Sequence, residues 1–122
     1  MIFPEHFPVD CPPKAAKPVK GEIFRFIRKK VPEDRDFKSH FTLGIKVDPD
    51  KHCEGCGCSV YLSEADARAK AAKTPYLKEK QLAKAKLSPE WGKIAQTCDA
   101  PHHTWWLVEG KYPTTMFVVI EK

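Results

Sequence analysis

The sequence predicts a single small α+β domain with a mainly antiparallel sheet, two helices and a cysteine knuckle loop. Three observations carry this. Runs of β-branched and aromatic residues recur along the chain, with helix-start chemistry in two of the gaps between them. At 122 residues the chain has room for one hydrophobic core, and its 42% apolar content is enough to build one. Prolines concentrate in residues 1–20, which read as an extended arm ahead of a domain spanning 21–122.

In the arm, Pro4, Pro8, Pro12, Pro13 and Pro18 exclude helix and central strand, because proline fixes φ and lacks an N–H. Phe3, Phe7 and Val9 are the residues able to pin it to the domain, and Cys11 reads as a leftover thiol. Residues 22–31 form the first strand, bounded by Gly21 and Pro32. Its apolar residues occupy both faces, so Arg25 on a buried face requires an anion or an acceptor. Residues 32–43 are expected to be helical. Pro32 suits a first turn, Glu33, Asp34 and Asp36 complement the dipole, Phe37 and Phe41 share a face, and Gly44 ends the helix. A short strand over 45–47 leads to a turn and the knuckle.

A short strand over 59–62 follows the knuckle. Ser63 then caps a second helix that stops at Thr74-Pro75, with Ala65, Ala69 and Ala72 as its small-residue stripe. Residues 81–87 alternate, with Ala83, Ala85 and Leu87 opposite Lys84 and Lys86, which is strand periodicity. Ser88-Pro89-Glu90-Trp91-Gly92 makes a single turn and 93–97 a short strand. Residues 98–103 form a loop, and 104–108 and 115–120 are strongly β.

No stretch of about 18 apolar residues is present to span a membrane. The first residues show no basic segment followed by an apolar one, so a reducing cytoplasm is the expected compartment. Five cysteines in that setting favour metal or thiol chemistry over disulfides. Cys53-Glu54-Gly55-Cys56-Gly57 is a C-x-x-C-G pattern, which can turn two sulfurs toward one ion and so supplies half of a tetrahedral zinc site. His52, Cys58 and the Cys98, His102 and His103 loop compete to supply the rest. The favoured set is Cys53, Cys56, Cys98 and His102, holding a structural Zn2+.

The net charge of +5 is concentrated in residues 68–86, where seven basic residues meet only Glu79. Such a face suits nucleic acid or an acidic protein partner. Adjacent strand residues face opposite ways, so one of Trp105 and Trp106 is expected on an outer face. Lys84, Lys86 and Trp105 are the binding candidates. There is no P-loop, G-x-G-x-x-G, G-x-S-x-G or H-E-x-x-H pattern.

The runs Cys56-Gly57-Cys58-Ser59-Val60-Tyr61, Glu64-Ala65-Asp66-Ala67-Arg68 and His102-His103-Thr104-Trp105-Trp106 resemble a family of small uncharacterised bacterial proteins. The resemblance spans residue 21 to the C-terminus and implies bacterial origin and one compact domain, with no mechanism. A fainter likeness is to ADP-ribosyltransferase-type folds, which carry an Arg or His in the first core strand. Arg25 is the residue that transfers, with Glu109 as the candidate acid. Two functional expectations follow: a zinc-knuckle binding or adaptor domain contacting nucleic acid or an acidic partner, or a nucleotide-handling transferase or toxin-like effector. The second would use Arg25, His40 and one of His102 and His103, and it requires these side chains to line one pocket.

Overall fold

The computed structural model describes residues 1–98 and 100–120. Asp99, inside the loop expected over 98–103, and residues 121–122 lie outside the described residues. The fold is α+β, with two antiparallel sheets. In chain order the elements are β1 (Lys17–Pro18), β2 (Gly21–Ile27), α1 (His52–Gly55), β3 (Cys58–Val60), α2 (Glu64–Lys73), β4 (Gln81–Leu87), β5 (Lys93–Gln96), β6 (His103–Trp106) and β7 (Val118–Val119). The first sheet runs β1-β5-β6-β3 and the second β2-β4-β7. They join where Phe24 and Tyr61 exchange backbone hydrogen bonds of 2.9 and 2.8 Å.

The main core lies between the sheets. Ile23 and Ile27 of β2 meet Ala83, Ala85 and Leu87 of β4, with Cys58, Val60, Trp105, Phe37 and Phe117 closing the cluster. Lys84 and Lys86 alternate with Ala83, Ala85 and Leu87 along β4, as period two requires, while Leu82 is buried on the lysines' face under α2. Helix α2 covers the outer face of the second sheet, packing Ala67 against Phe24, Tyr61 and Leu82. Ser63 caps it by accepting from the Asp66 N–H. The alanine that packs is Ala67, while Ala65, Ala69 and Ala72 face outward.

A third cluster covers the outer face of the first sheet. Trp106 packs there with Ala16 and Cys56, under Phe3, Phe7, Cys11 and Cys53. Both tryptophans are therefore 0% exposed although they point to opposite faces. The indole N–H of Trp105 donates to the Trp91 carbonyl at 2.9 Å, and that of Trp106 to the Cys53 carbonyl at 2.8 Å. Trp105 thus offers no face to a partner, contrary to the sequence expectation.

The structure corrects several local expectations. The helix expected over 32–43 is a single 3-10 turn, Asp34–Phe37, followed by turns. Its Glu33 and Asp36 satisfy each other's backbone N–H groups in a capping box. Phe37 drops into the core and Phe41 stays 40% exposed, stacked between the rings of His6 and His52. The 45–47 segment is not a strand, and the strand expected over 115–120 shortens to Val118–Val119.

The zinc assignment is overturned. Cys53 is joined to Cys11 in a disulfide, so neither is a leftover thiol nor a ligand. Cys56 is a buried free thiol, and Cys98 is an exposed one. Among the described residues no group of three or more His, Cys, Asp or Glu is placed to hold a metal ion. The physical reason is the path of the arm, which crosses the knuckle and brings Cys11 to Cys53 from 42 residues away. Burial raises the Cys56 pKa, which further disfavours the thiolate that a metal would need. Titration of the denatured, unreduced protein should therefore count three thiols rather than five. Reduction, or Cys53→Ser, should lower unfolding stability by about 2–4 kcal/mol, read from urea midpoints.

Candidate functional site

The site begins with the pairing of β3 and β6. The register matches Cys58 with Trp105, Ser59 with Thr104 and Val60 with His103. Cys58 and Trp105 face the core, so Ser59 and Thr104 share the outer face. His102 is two residues before Thr104 and falls diagonally beside Ser59, within reach of its side chain. The Ser59 hydroxyl and His102 Nε2 are 2.8 Å apart.

Thr97 sits on the other side of the imidazole. His102 Nδ1 is 3.0 Å from the Thr97 hydroxyl and 3.3 Å from its carbonyl oxygen. A carbonyl only accepts, so a proton on Nδ1 satisfies it, and in that tautomer the neutral ring presents Nε2 as an acceptor to the Ser59 hydroxyl. The Thr97 hydroxyl is itself held 2.6 Å from that of Thr104. Burial lowers the His102 pKa, and Lys70 and His103 add to the lowering. The Thr97 carbonyl and Glu54 oppose it.

Arg25 answers the question the sequence posed about a buried guanidinium. It lies on the same face of β2 as Ile23 and Ile27, where it donates Nε–H to the Asp36 carbonyl at 2.8 Å and Nη1–H to the Ser59 carbonyl at 2.6 Å. Both acceptors are neutral, and no carboxylate pairs with Arg25 among the described residues. The charge is therefore held in place but left uncompensated.

These groups meet in a cleft. Arg25, Lys38, His40, Glu54, Ser59, Tyr61, Tyr76, Lys80 and His102 line a cavity of about 240 Å³. A neighbouring cavity of about 270 Å³ shares His40, Glu54, Ser59 and His102 and adds Cys98 and Lys51. The Cys98 thiol lies 3.8 Å from a Glu54 carboxylate oxygen. The charged groups of the first cavity are Arg25, Lys38 and Lys80 against one carboxylate, Glu54. Tyr61 stands edge-on to His102, with centroids 6.2 Å apart.

Of the residues chosen from sequence, Arg25, His40 and His102 converge on this cleft. Cys98 reaches its far side as an acid-bonded thiol. His103 does not line it: its Nδ1–H donates to the Pro101 carbonyl at 2.9 Å, on the opposite face of β6. Glu109 is exposed elsewhere and donates its backbone N–H to the Ile2 carbonyl. Lys84 is paired with Glu22 at 3.5 Å, and Lys86 lies across the ladder from that same residue. Lys70, Lys73, Lys78 and Lys80 have no carboxylate partner among the described residues.

Sequence reasoning missed Ser59, Glu54, Thr97, Lys38 and Tyr76. Ser59 shares strand parity with neither buried neighbour, which marked it as outward-facing. Its partner became visible only with the β3–β6 register.

Gly57 keeps the two strands close. A Cβ there would overlap the Thr104 methyl group and come within 3.1 Å of the Trp105 carbonyl oxygen. Gly57→Ala should therefore cost about 1–3 kcal/mol and separate Ser59 from His102, visible as a shifted His102 imidazole resonance. The lowered His102 pKa makes a further prediction. Its stabilising contribution is fully present above the unfolded value of about 6.5 and is lost as pH falls from there through the lower folded value. Urea midpoints of the wild type should thus drop more between pH 7.5 and 5.5 than those of His102→Asn.

Comparison of the chain with protein-family models, with curated proteins and with solved structures finds no match.

Proposed function

We propose that this chain is a binding domain for single-stranded nucleic acid, and that its cleft seats a backbone phosphodiester. The observation that carries this reading is the Arg25 guanidinium, fixed at the cleft by two backbone carbonyls with no carboxylate to neutralise it. Lys38 and Lys80 line the same cavity, so an anion entering it meets several positive charges and one acid.

The surrounding surface supports a strand rather than an isolated phosphate. Tyr76 is 67% exposed on the rim of the cleft. It provides the aromatic face on which a base can stack, the role that the buried tryptophans cannot take. Lys78 and Lys80 follow it in the chain, and Lys70 and Lys73 extend the unpaired charge along α2. Lys84 and Lys86 lie on a different part of the basic segment, Lys84 paired with Glu22 and Lys86 across the ladder from it, so they contribute less.

Fluorescence anisotropy of a labelled 12-nucleotide single strand tests this. Binding should weaken steeply with salt, with log K falling by about 0.7 per phosphate neutralised for each unit of log salt. Tyr76→Ala should cost about 1–3 kcal/mol, and the double charge reversal Lys78→Glu, Lys80→Glu should flatten the salt slope. Salt-independent binding, or a Tyr76→Ala variant that binds as the wild type does, would exclude the reading.

A further inference from the structure

We infer that the cleft also carries out chemistry: Ser59 is a nucleophile, His102 its general base and His40 the general acid for cleaving a phosphodiester. This rests on the nucleic-acid reading above, since it takes the bound phosphodiester as its substrate. Three features of the site carry it. A serine hydroxyl lies within hydrogen-bond reach of an imidazole acceptor nitrogen, at 2.8 Å. The imidazole is oriented by a third group, the Thr97 carbonyl and hydroxyl on Nδ1. An arginine with unused N–H donors is bonded to the carbonyl of that same serine. An activated nucleophile requires a base within reach and an orienting partner behind it, and a cation beside it stabilises charge gathering on phosphorus.

A purely structural serine needs none of this. Ser59 is exposed, so its hydroxyl can bond to water at no cost and gains little from a partner. The base is supplied by an imidazole whose second nitrogen is already committed, which leaves its lone pair directed at the serine.

Displacement at phosphorus runs in line, so the attacking and leaving oxygens occupy opposite sides. One imidazole cannot serve both, and His40 and His102 both line the cavity. In the first step the Ser59 oxygen bonds to phosphorus and its proton passes to His102 Nε2. The bond from phosphorus to the leaving oxygen breaks, and that oxygen takes a proton from the protonated imidazole of His40. In the second step water attacks from the vacated side and gives its proton to His40. The bond from phosphorus to Ser59 breaks, and the serine oxygen recovers its proton from His102. The net reaction is diester plus water giving a phosphomonoester and an alcohol, with no change in oxidation state.

The cycle needs His102 neutral, so the rate should rise with pH through the titration of that imidazole. The groups facing His102 are Lys70 on α2, Glu54 on α1, His103 beside it, and Arg25, Tyr61 and Lys80 around the cleft. Burial and Lys70 place its titration below that of an ordinary histidine, which extends the rising limb to lower pH.

The test uses the full chain and two probes, the labelled oligonucleotide and bis(4-nitrophenyl) phosphate. Ser59→Ala should cleave both probes at least about 10²-fold more slowly, with turnover read at saturating probe so that a change in affinity is not counted as a change in rate, and His102→Asn should do the same. His40→Ala should lose oligonucleotide cleavage yet still release a burst of one equivalent of 4-nitrophenolate from bis(4-nitrophenyl) phosphate, whose leaving group needs no proton, and then stall because the second step lacks its base. Diisopropyl fluorophosphate should add to Ser59 in the wild type and not in His102→Asn, read by mass spectrometry of the peptide. Cleavage unaltered in Ser59→Ala, or a wild-type protein that binds the oligonucleotide but neither cleaves it nor takes the label, would overturn the inference. Failure of the binding reading shows separately, as an oligonucleotide the wild type does not bind. Hydrolysis of bis(4-nitrophenyl) phosphate that Ser59→Ala abolishes then decides for the serine, and its absence decides against it.

Discussion

The register of β3 on β6 is the constraint on which the rest of the molecule depends. Cys58 opposite Trp105 and Val60 opposite His103 leave Ser59 facing outward beside Thr104 and His102. A slip of one residue would turn Ser59 into the core and expel Cys58 and Val60, which are almost fully buried. Burial of two apolar side chains and of Trp105 therefore fixes the position of a polar contact on the other face. The backbone of β3 serves the second sheet as well. The Ser59 carbonyl accepts from Arg25 of β2, and Tyr61 exchanges both of its backbone groups with Phe24. The strand is only three residues long, yet it carries the junction between the sheets and one wall of the cleft.

The arm and the knuckle act together on the outer face of β6. Trp106 points away from the main core and would be a large exposed apolar surface if nothing covered it. The cover comes from Phe3, Phe7, Ala16 and Cys56, tied in place by the Cys11–Cys53 disulfide and by the Trp106 indole bond to the Cys53 carbonyl. Helix α1 is thereby held against the sheet, and Glu54 at its centre reaches the cleft. A cysteine pair that a local pattern assigns to a metal is divided here between a cross-link and a buried thiol. Lys17–Pro18 adds an edge strand to β5 through the same segment.

Much of the architecture was legible. The alternation of 81–87, the Ser63 cap with its acidic first turn and the single turn at Pro89 all appear where local chemistry places them, because each depends on neighbours a few residues away. The segment 32–43 failed for an instructive reason. Its proline, acids and phenylalanine spacing suit a helix, but Asp36 instead receives the N–H groups of Glu33 and Arg28, and Phe37 is drawn into the core against Trp105 and Phe117. Tertiary burial of one aromatic outweighed a weak local preference. In the cleft, Arg25 and His40 were candidates from residue type, and His102 was chosen as a metal ligand and, as an alternative to His103, as the third member of an enzyme pocket.

By itself the sequence determined the fold class, the strand and helix periodicities, the clustering of basic charge and the need of Arg25 for an acceptor. These follow from short-range sterics, capping and side-chain parity, which the chain carries locally. Only the tertiary structure decided that Cys11 meets Cys53, that both tryptophans are covered, and that Ser59, His102 and Thr97 form one hydrogen-bonded line beside Arg25. Cys11 and Cys53, and likewise Ser59 and His102, are more than forty positions apart, and their contact depends on strand register and on the route of the arm. No local pattern encodes either, because both are set by which apolar faces the whole chain can bury at once.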